Sequence, residues 1–306
     1  MQIQLSEILN EVGKVIKGKA AEKELMLAAI LSGGHILLDD IPGVGKTSLA
    51  MAFSKSMELD ANRMQFTSDV LPSDVVGFNI IGSDGTKDYQ RGVILCNLFL
   101  ADEINRASSK TQSALLEVME ERRVTVDGVT TPAPEPFVVM ATQNPVGSVG
   151  TQLLPESQLD RFMICLTLGY PTHAEEVLLL KERQGMNPVD SVVQVISREE
   201  LVQMQAQVKS VHLDEDIYDY MVRLAEATRS HEHLSLGMSP RGTLALMEIS
   251  KAMAFLNERN CVFPEDVKRV FPYIVRHRIS LTARAKVEKL DKEELVSQIL
   301  NKVKIR

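Results

Sequence analysis

The chain of 306 residues contains no tryptophan, and aromatic residues make up only 5% of it. A hydrophobic core therefore has to be built from Leu, Ile, Val, Met and Ala. Cys96, Cys165 and Cys261 are odd in number and widely spaced, which argues against a disulfide framework and a zinc site. The longest apolar run, Leu25–Leu31, is much shorter than the roughly 20 residues of a membrane-spanning helix. Since the start of the chain also lacks a signal-peptide pattern, we expect a cytoplasmic protein with no membrane span.

The sequence also lacks an excess of positive charge, because its net charge is −7. Domains that coat nucleic acid by bulk charge are usually basic, so nucleic acid is an improbable partner. Residues 1–170 contain 14 Lys/Arg and 21 Asp/Glu, whereas residues 171–306 contain 20 of each. The length corresponds to about two typical domains. We therefore predict one domain at 1–170 and a second at 171–306.

Hydrophobic patterning changes at the same boundary. The first region contains strand-like runs at 35–40, 62–67, 97–102, 136–142 and 162–168. Helical patterns separate several of them, and this alternation is typical of a largely parallel sheet with helices on both faces. The second region contains only helical periods, at 173–184, 197–208, 214–229, 239–257, 264–276 and 291–303. The sequence therefore predicts an α/β domain followed by an all-helical domain.

A glycine-rich loop follows the first predicted strand and leads into a helix. Its candidate nucleotide-binding residues are Pro42, Gly43, Val44, Gly45, Lys46, Thr47 and Ser48. Glycines allow backbone N–H groups to surround phosphate oxygens, and the helix directs the positive end of its dipole at the same anion. We expect Lys46 to reach the β- and γ-phosphates of a nucleotide and Thr47 to ligate Mg²⁺. Asp40 departs from the strict motif, which has glycine there, but the strand–loop–helix context supports the prediction.

Two adjacent carboxylates end the apolar strand at 97–102. Unpaired charges at the end of a buried strand are costly unless a cation compensates them. We therefore expect Asp102 to hold the Mg²⁺ of a bound nucleotide, directly or through water. Glu103 is the candidate general base that polarises the attacking water. Together with the phosphate loop, these residues predict Mg²⁺-dependent hydrolysis of a bound nucleotide.

Six segments together resemble the MoxR family of AAA+ ATPases. They are PGVGKT, LADEINRA, KTQSALLEVMEERRVTVDG, MATQNP, LPESQLDRF and SPRGTLAL. The resemblance extends from about residue 10 to about residue 280. It implies an AAA+ P-loop αβα sandwich with a parallel sheet, followed by an all-helical lid domain. It also implies a homo-oligomeric ring, most often a hexamer, that remodels or matures a client protein complex or inserts a cofactor into it. A protein with a von Willebrand factor A domain, encoded on a separate chain, is an implied partner.

The same resemblance assigns roles to three polar residues. Asn144 matches the sensor-1 position, Arg161 matches the arginine finger that reaches a neighbouring subunit, and Arg241 matches sensor 2 on the lid. Arg106 is a further candidate for the subunit interface. The alternatives are an Asn-Pro turn at 144–145, an Asp160–Arg161 surface pair and a solvent-exposed arginine at a helix start.

The segment at 15–18 resembles the part of the family that packs against adenine. Val15 and Ile16 would contact the flat base, and Gly18 would permit close approach of the backbone. The alternative is a helix that simply ends at glycine.

Two further segments, 75–92 and 122–136, resemble insertions of this clade. The pair Asp127-Gly128 is a strong hairpin signal, and Gly82-Ser83-Asp84-Gly85 forms a turn between two short extended arms. The resemblance implies that such hairpins project toward a central pore or a partner, whereas the alternative is two inert surface hairpins.

Two other functions remain open. A nucleic-acid-stimulated motor would grip a strand with the basic residues Lys87, Arg91, Arg122 and Arg123. A nucleotide-gated scaffold with little turnover is the third possibility, and the presence of Glu103 argues against it.

Overall fold

The structure is a computed structural model that describes residues 2–83, 85–144, 154–182 and 187–305. The helices are α1 (Gln2–Val15), α2 (Ala20–Leu31), α3 (Lys46–Ser56), α4 (Pro72–Val76), α5 (Ser109–Glu121), α6 (Glu156–Leu159), α7 (His173–Glu182), α8 (Arg198–Lys209), α9 (Glu215–Arg229), α10 (Pro240–Leu256), α11 (Pro264–Val275), α12 (Ala283–Val287) and α13 (Lys292–Lys302). The strands are β1 (Ile36–Asp39), β2 (Ala61–Gln65), β3 (Gly77–Ile81), β4 (Lys87–Arg91), β5 (Leu98–Asp102), β6 (Arg123–Val126), β7 (Val129–Pro132), β8 (Val138–Gln143), β9 (Ile164–Leu166), β10 (Leu234–Leu236) and β11 (Ser280–Leu281).

Five strands form one parallel sheet in the order β2-β5-β8-β1-β9. These are the five strands that the sequence predicts, so the α/β prediction is confirmed. Because all five run in the same direction, their carboxyl ends lie along one edge of the sheet, the carboxyl edge. Their amino ends lie along the opposite edge, the amino edge. This arrangement decides which loops can form a common site.

Alternation along the strands gives the sheet two buried faces. Ile36 and Leu38 of β1 belong to a core shared with α1, α2, α3 and the helices after residue 195. Leu37, one residue apart from each, belongs to a second core shared with α5. Successive side chains of a strand point to opposite faces, so a continuous apolar strand requires cover on both sides. The result is the αβα sandwich that the sequence predicts.

The region after residue 171 is helical, as predicted, with one small addition. Ser197 caps α8, and Glu200 accepts a hydrogen bond from the Ser197 backbone N–H at 2.7 Å. β10 and β11 form a short antiparallel pair that the sequence analysis does not anticipate. Strands of three and two residues are too short to produce a period-2 pattern. The predicted helix at 173–184 is present through residue 182, and residues 183 and 184 lie outside the described residues.

No helix in the described ranges combines the length and apolar character that crossing a membrane requires.

Both predicted hairpins are present, as β3–β4 and β6–β7. Asp127 links them, because its carboxylate accepts a hydrogen bond from Asn79 Nδ2 at 2.9 Å and lies 3.6 Å from Lys87 Nζ. The joined hairpins expose four large apolar side chains: Phe78, Ile80, Ile81 and Val129. Asp84, in the predicted turn of the first hairpin, lies outside the described residues. The two segments therefore form one structural unit with an apolar surface.

Candidate active site

The glycine-rich loop connects β1 to α3 at the carboxyl edge. Gly45 has a φ of +91°, and a Cβ atom there would lie 2.8 Å from Ile16 Cδ1. Only glycine combines this backbone with this close approach. Lys46 begins α3, is 7% exposed, and donates hydrogen bonds to the carbonyls of Asp40 at 2.9 Å and Ile41 at 3.2 Å. The Lys46 ammonium group is therefore bound by the backbone at the start of the loop.

Burial lowers the pKa of Lys46, although the charges of Asp40, Asp102 and Glu103 act in the opposite direction. The candidate phosphate-binding lysine and the two carboxylates after β5 therefore lie within electrostatic reach of one another.

Asp40, which stands where the strict loop motif has glycine, has a structural role. It is 3% exposed, and its Oδ1 accepts a hydrogen bond from the Ile41 backbone N–H at 2.9 Å. Its Oδ2 accepts hydrogen bonds from the backbone N–H groups of Leu168 and of Gly169, the second at 2.9 Å. The carboxylate thus ties the start of the phosphate loop to the segment after β9. A glycine could not supply these contacts.

A cavity of about 130 Å³ lies beside the phosphate loop. Its lining includes Val15, Ile16, Gly43, Val44, Gly45, Ser48, Leu168, Gly169 and Glu175. Six of the predicted nucleotide-binding residues thus line one partly apolar space: Val15, Ile16, Gly43, Val44, Gly45 and Ser48. Gly18 is adjacent to it, with a φ of +63°, and a Cβ atom there would collide with the carboxylate of Glu175. The cavity suits a flat base whose phosphates extend into the loop.

At the end of β5, Asp102 has two partners within the protein. Its Oδ1 accepts a hydrogen bond from the Thr142 hydroxyl at 2.6 Å, and its Oδ2 lies 2.8 Å from Arg63 Nη2. Arg63 is on β2, the edge strand that pairs with β5. Mg²⁺ prefers oxygen ligands, and the Asp102 carboxylate and the Thr47 hydroxyl provide such donors. The residue types therefore fit a magnesium ion, with Arg63 as a competing cation.

Glu103 is held between two side chains. Its Oε1 accepts a hydrogen bond from Asn144 Nδ2 at 2.7 Å, and its Oε2 lies 2.9 Å from Arg106 Nη1. Burial raises the pKa of this carboxyl, but the hydrogen bonds from Arg106 and Asn144 outweigh that effect and hold the pKa below its ordinary value. Glu103 is therefore ionised at neutral pH, as a proton acceptor must be.

The Asn144 side chain has one unsatisfied end. Its Nδ2 donates to Glu103, while its Oδ1 is buried and has no hydrogen-bond partner in the part of the chain that the structure describes. Buried polar atoms are rarely left unpaired, and such an atom is a ready acceptor for a water or a ligand. Pro145, which follows in the motif, lies outside the described residues.

The two candidate arginines lie elsewhere, and they lie together. Arg161 Nε is 3.2 Å from Glu120 Oε2, and Arg241 Nη2 contacts the other oxygen of the same carboxylate. Glu120 belongs to the last turn of α5, where the Met119 carbonyl lies 3.0 Å from His35 Nε2 and Arg122 Nη2 donates to the Gly33 carbonyl at 2.6 Å. Gly33 and His35 precede β1, so this cluster is at the amino edge.

The phosphate loop follows the other end of β1. Residues 35–40 span about 17 Å at roughly 3.3 Å per residue of extended strand. Arg161 and Arg241 therefore do not lie with the phosphate loop of their own chain.

Asp160 pairs with Arg278 and Ser239 and not with Arg161, which was the alternative left open by the sequence. Asp160 Oδ1 lies 2.8 Å from Arg278 Nε, and both Asp160 oxygens accept hydrogen bonds from the Ser239 hydroxyl, at 2.9 and 2.8 Å. Arg278 is 4% exposed and also donates to the Asp160 and Phe162 carbonyls. Asp160 therefore joins the segment before β9 to the second region.

The sequence analysis does not identify Arg63, Thr142 or Glu120 as site residues. Thr142 lies two residues before Asn144, so its motif offered a local signal. Arg63 and Glu120 carry no local signal, because their partners are 39 or more residues away.

Comparisons with known proteins agree with this fold. The model of the family "ATPase family associated with various cellular activities (AAA)" matches residues 35–164, and an AAA lid domain model matches residues 226–299. The YeaC protein of Bacillus subtilis is 44% identical over 98% of this chain and 94% of its own. Chaperone MoxR1 of Mycobacterium tuberculosis is 38% identical over 98% of this chain and 81% of its own.

A crystal structure of a candidate ATPase from Cytophaga hutchinsonii superposes with a TM-score of 0.92 at 37% identity. It covers 100% of this chain and 96% of its own. The fold with its helical lid, the candidate nucleotide site and these relatives lead to one conclusion: the chain belongs to the MoxR family of AAA+ ATPases, which bind and hydrolyse ATP.

Proposed function

We propose that this ATPase works as a ring, most simply a hexamer, whose catalytic sites are each shared by two neighbouring subunits. The observation that carries the proposal is the separation of the candidate catalytic residues between two edges of the sheet. Lys46, Glu103 and Asn144 are at the carboxyl edge, whereas Arg161 and Arg241 are at the amino edge. A head-to-tail arrangement of subunits brings one edge of each against the other edge of its neighbour, and such contacts close into rings.

In this proposal the carboxyl edge binds the nucleotide. Val15, Ile16 and Gly18 surround the base, and the loop at 42–48 wraps the phosphates with its backbone N–H groups. Lys46 releases the carbonyls of Asp40 and Ile41 to contact the β- and γ-phosphates. Thr47 and Asp102 would hold Mg²⁺, and the Asp102 oxygen that faces Arg63 in this structure would be one of its ligands. A bound Mg²⁺ neutralises charge that develops on the phosphate oxygens.

Glu103 and Asn144 act on the attacking water. The ionised Glu103 carboxylate accepts the water's proton. Asn144 Oδ1, which has no hydrogen-bond partner among the described residues, accepts a second hydrogen bond and orients the water. Arg161 of one subunit and Arg241 beside it stabilise the charge on the γ-phosphate held by the next subunit. An arginine in that position contributes roughly 10³–10⁵ in rate.

Mixing two inactive variants tests the shared site. Arg161→Ala subunits have an intact phosphate loop, and Lys46→Ala subunits have an intact Arg161. Random mixing at equal amounts places the two intact halves together at about one interface in four, so we expect about a quarter of wild-type activity. The absence of any recovery, with mixed rings demonstrated by mass, contradicts the shared site.

We further propose that hydrolysis drives remodelling or maturation of a protein complex, or cofactor insertion into one, with a von Willebrand factor A domain protein as a separate partner. The joined hairpins support a protein client, since they expose Phe78, Ile80, Ile81 and Val129. The cytoplasmic location remains a prediction.

A nucleic-acid motor has less support, because its four candidate basic residues all have partners within the protein. Lys87 faces Asp127, Arg91 donates to the Leu95 carbonyl, Arg122 donates to the Gly33 carbonyl and Arg123 faces Glu121.

A further inference from the structure

One carboxylate, Glu120, contacts two arginines that come from distant parts of the chain. Arg161 precedes β9 of the parallel sheet, and Arg241 lies in the first turn of α10 in the helical region. Arg161 Nε is 3.2 Å from Glu120 Oε2, and Arg241 Nη2 contacts Glu120 Oε1. Neither the phosphate loop nor the carboxylates after β5 take part in this cluster. Glu120 therefore needs an explanation separate from the chemistry at the carboxyl edge.

Hydrogen bonds hold the three segments that carry Glu120, Arg161 and Arg241. The end of α5 is held by the contact of His35 with the Met119 carbonyl and by the hydrogen bond from Arg122 to Gly33. Asp160 directly precedes Arg161, and Ser239 lies two residues before Arg241. These two residues are joined as well, because the Asp160 carboxylate accepts hydrogen bonds from the Ser239 hydroxyl. Asp160 thus joins the segment that carries Arg161 to the segment that carries Arg241, and Glu120 joins the two arginine side chains.

The charges explain why an anion is needed at this point. Two guanidinium groups that approach one another repel, so they remain together only when an anion lies between them. Glu120 is that anion in the single subunit. An arginine from the sheet domain and an arginine from the helical region are therefore held side by side before any nucleotide arrives, and together with Glu120 they carry one net positive charge. A γ-phosphate that approaches them finds both groups already in place, which reduces the cost of ordering them.

The pair is also accessible from outside. Arg161 is 29% exposed, Glu120 38% and Arg241 44%. An open depression of about 700 Å³ lies alongside, lined in part by Glu117, Glu120, Ser157, Gln158 and Arg161. A phosphate carried by another molecule can therefore reach the guanidinium groups.

From this geometry we propose that Glu120 is a positioning residue that holds Arg161 and Arg241 together as one phosphate-binding pair for the neighbouring subunit's nucleotide. This inference rests on the shared site proposed above. Glu120 does not touch the nucleotide; it acts through the two arginines, one from each part of the chain.

Alanine substitution of Glu120 tests the assignment, with Glu117→Ala as the matched control. Glu117 lies one turn earlier on α5 and lines the same depression. We expect Glu120→Ala to lower kcat at least tenfold. The KM for ATP and the affinity for a fluorescent ADP should remain within about twofold, because the nucleotide's own loop is intact. Glu117→Ala should change neither kcat nor KM.

Subunit mixing separates positioning from simple loss of folding. Glu120→Ala subunits mixed with Lys46→Ala subunits should recover activity, since the latter present intact arginines to the former's intact loops. Glu120→Ala mixed with Arg161→Ala should not recover, because both lack the same half. If Glu120→Ala recovers in neither mixture although mixed rings form, the substitution also impairs the subunit's own phosphate loop, and the proposal is overturned.

Two further outcomes are decisive. Wild-type or higher kcat for Glu120→Ala overturns the proposal while leaving the shared site intact, provided that Arg161→Ala and Lys46→Ala still complement each other. If that reference pair fails to complement in mixed rings, the shared site itself is wrong, and this inference fails with it.

Discussion

The carboxylate of Glu103 is the residue on which the chemistry depends most directly. Glu103→Gln keeps the shape of the side chain and an oxygen that can accept the hydrogen bond from Asn144, but it removes the basicity. We expect ATP binding to be retained and hydrolysis to fall by about 10²–10⁴. Binding of a fluorescent ATP analogue and release of phosphate measure the two effects separately.

Lys46→Ala provides the contrast, because it should weaken nucleotide binding itself. Near-normal turnover by Glu103→Gln would show that another group accepts the proton.

At the same scale, His35 makes the stability of the protein depend on pH. Its Nδ1 accepts the Val139 backbone N–H at 3.0 Å and its Nε2 lies 3.0 Å from the Met119 carbonyl, so the neutral ring is fully used. Burial lowers the pKa of His35 to about 4, despite the opposing contact with Met119. The unfolded chain, with an ordinary pKa near 6.5, binds a proton first as the pH falls. The free energy of unfolding therefore keeps its full value above about pH 6.5. It falls between about pH 6.5 and about pH 4, where the unfolded chain binds the proton and the folded protein does not.

The loss between pH 7 and pH 5 should be about 2 kcal/mol from this residue. Urea unfolding at the two pH values measures it, and His35→Gln should show a correspondingly smaller difference. Equal pH sensitivity in the two proteins contradicts a neutral, buried His35.

At the scale of elements, the joined hairpins are the feature that nucleotide chemistry does not require. Replacing Phe78, Ile81 and Val129 with serine should leave ATP binding and basal hydrolysis unchanged, since none of them lines the nucleotide cavity. Stimulation by a protein client should be lost, because three of the four exposed apolar side chains are removed. Val287→Ser is the matched control, as Val287 is 82% exposed on α12. ATPase assays with proteins that copurify from native cells measure the difference.

Shortening residues 82–88 to a two-residue turn should have the same selective effect. An inert loop would tolerate it without any functional change. Stimulation of the wild type by single-stranded nucleic acid at physiological salt would instead favour a nucleic-acid motor.

At the scale of the whole molecule, a site shared between subunits makes activity depend on concentration. Specific activity should fall when the protein is diluted below its assembly concentration, because isolated subunits lack the arginines of a neighbour. Parallel light scattering gives the mass of the assembly at each concentration. Constant specific activity through the range in which the mass drops to one subunit would contradict the shared site.

The sequence by itself determined the elements whose signals are local. The five strands of the sheet, the loop at 42–48, the carboxylates at 102–103 and the helical character of the second region follow from contiguous residues with a fixed period or composition. The hairpin at 122–136 followed from Asp127-Gly128. The short strands β10 and β11 did not, because two or three residues carry no period.

Only the tertiary structure decided which charges meet. Glu120 contacts Arg161 and Arg241, 41 and 121 positions away, and Asp127 joins one hairpin to another. The order β2-β5-β8-β1-β9 places residues that are distant in sequence at one edge. Because β1 and β9 are parallel, Arg161 before β9 and Lys46 after β1 are separated by the length of a strand. Ion pairs between distant segments leave no periodic trace in the sequence. Their partners are fixed by strand order and by the packing of the helical region on the sheet.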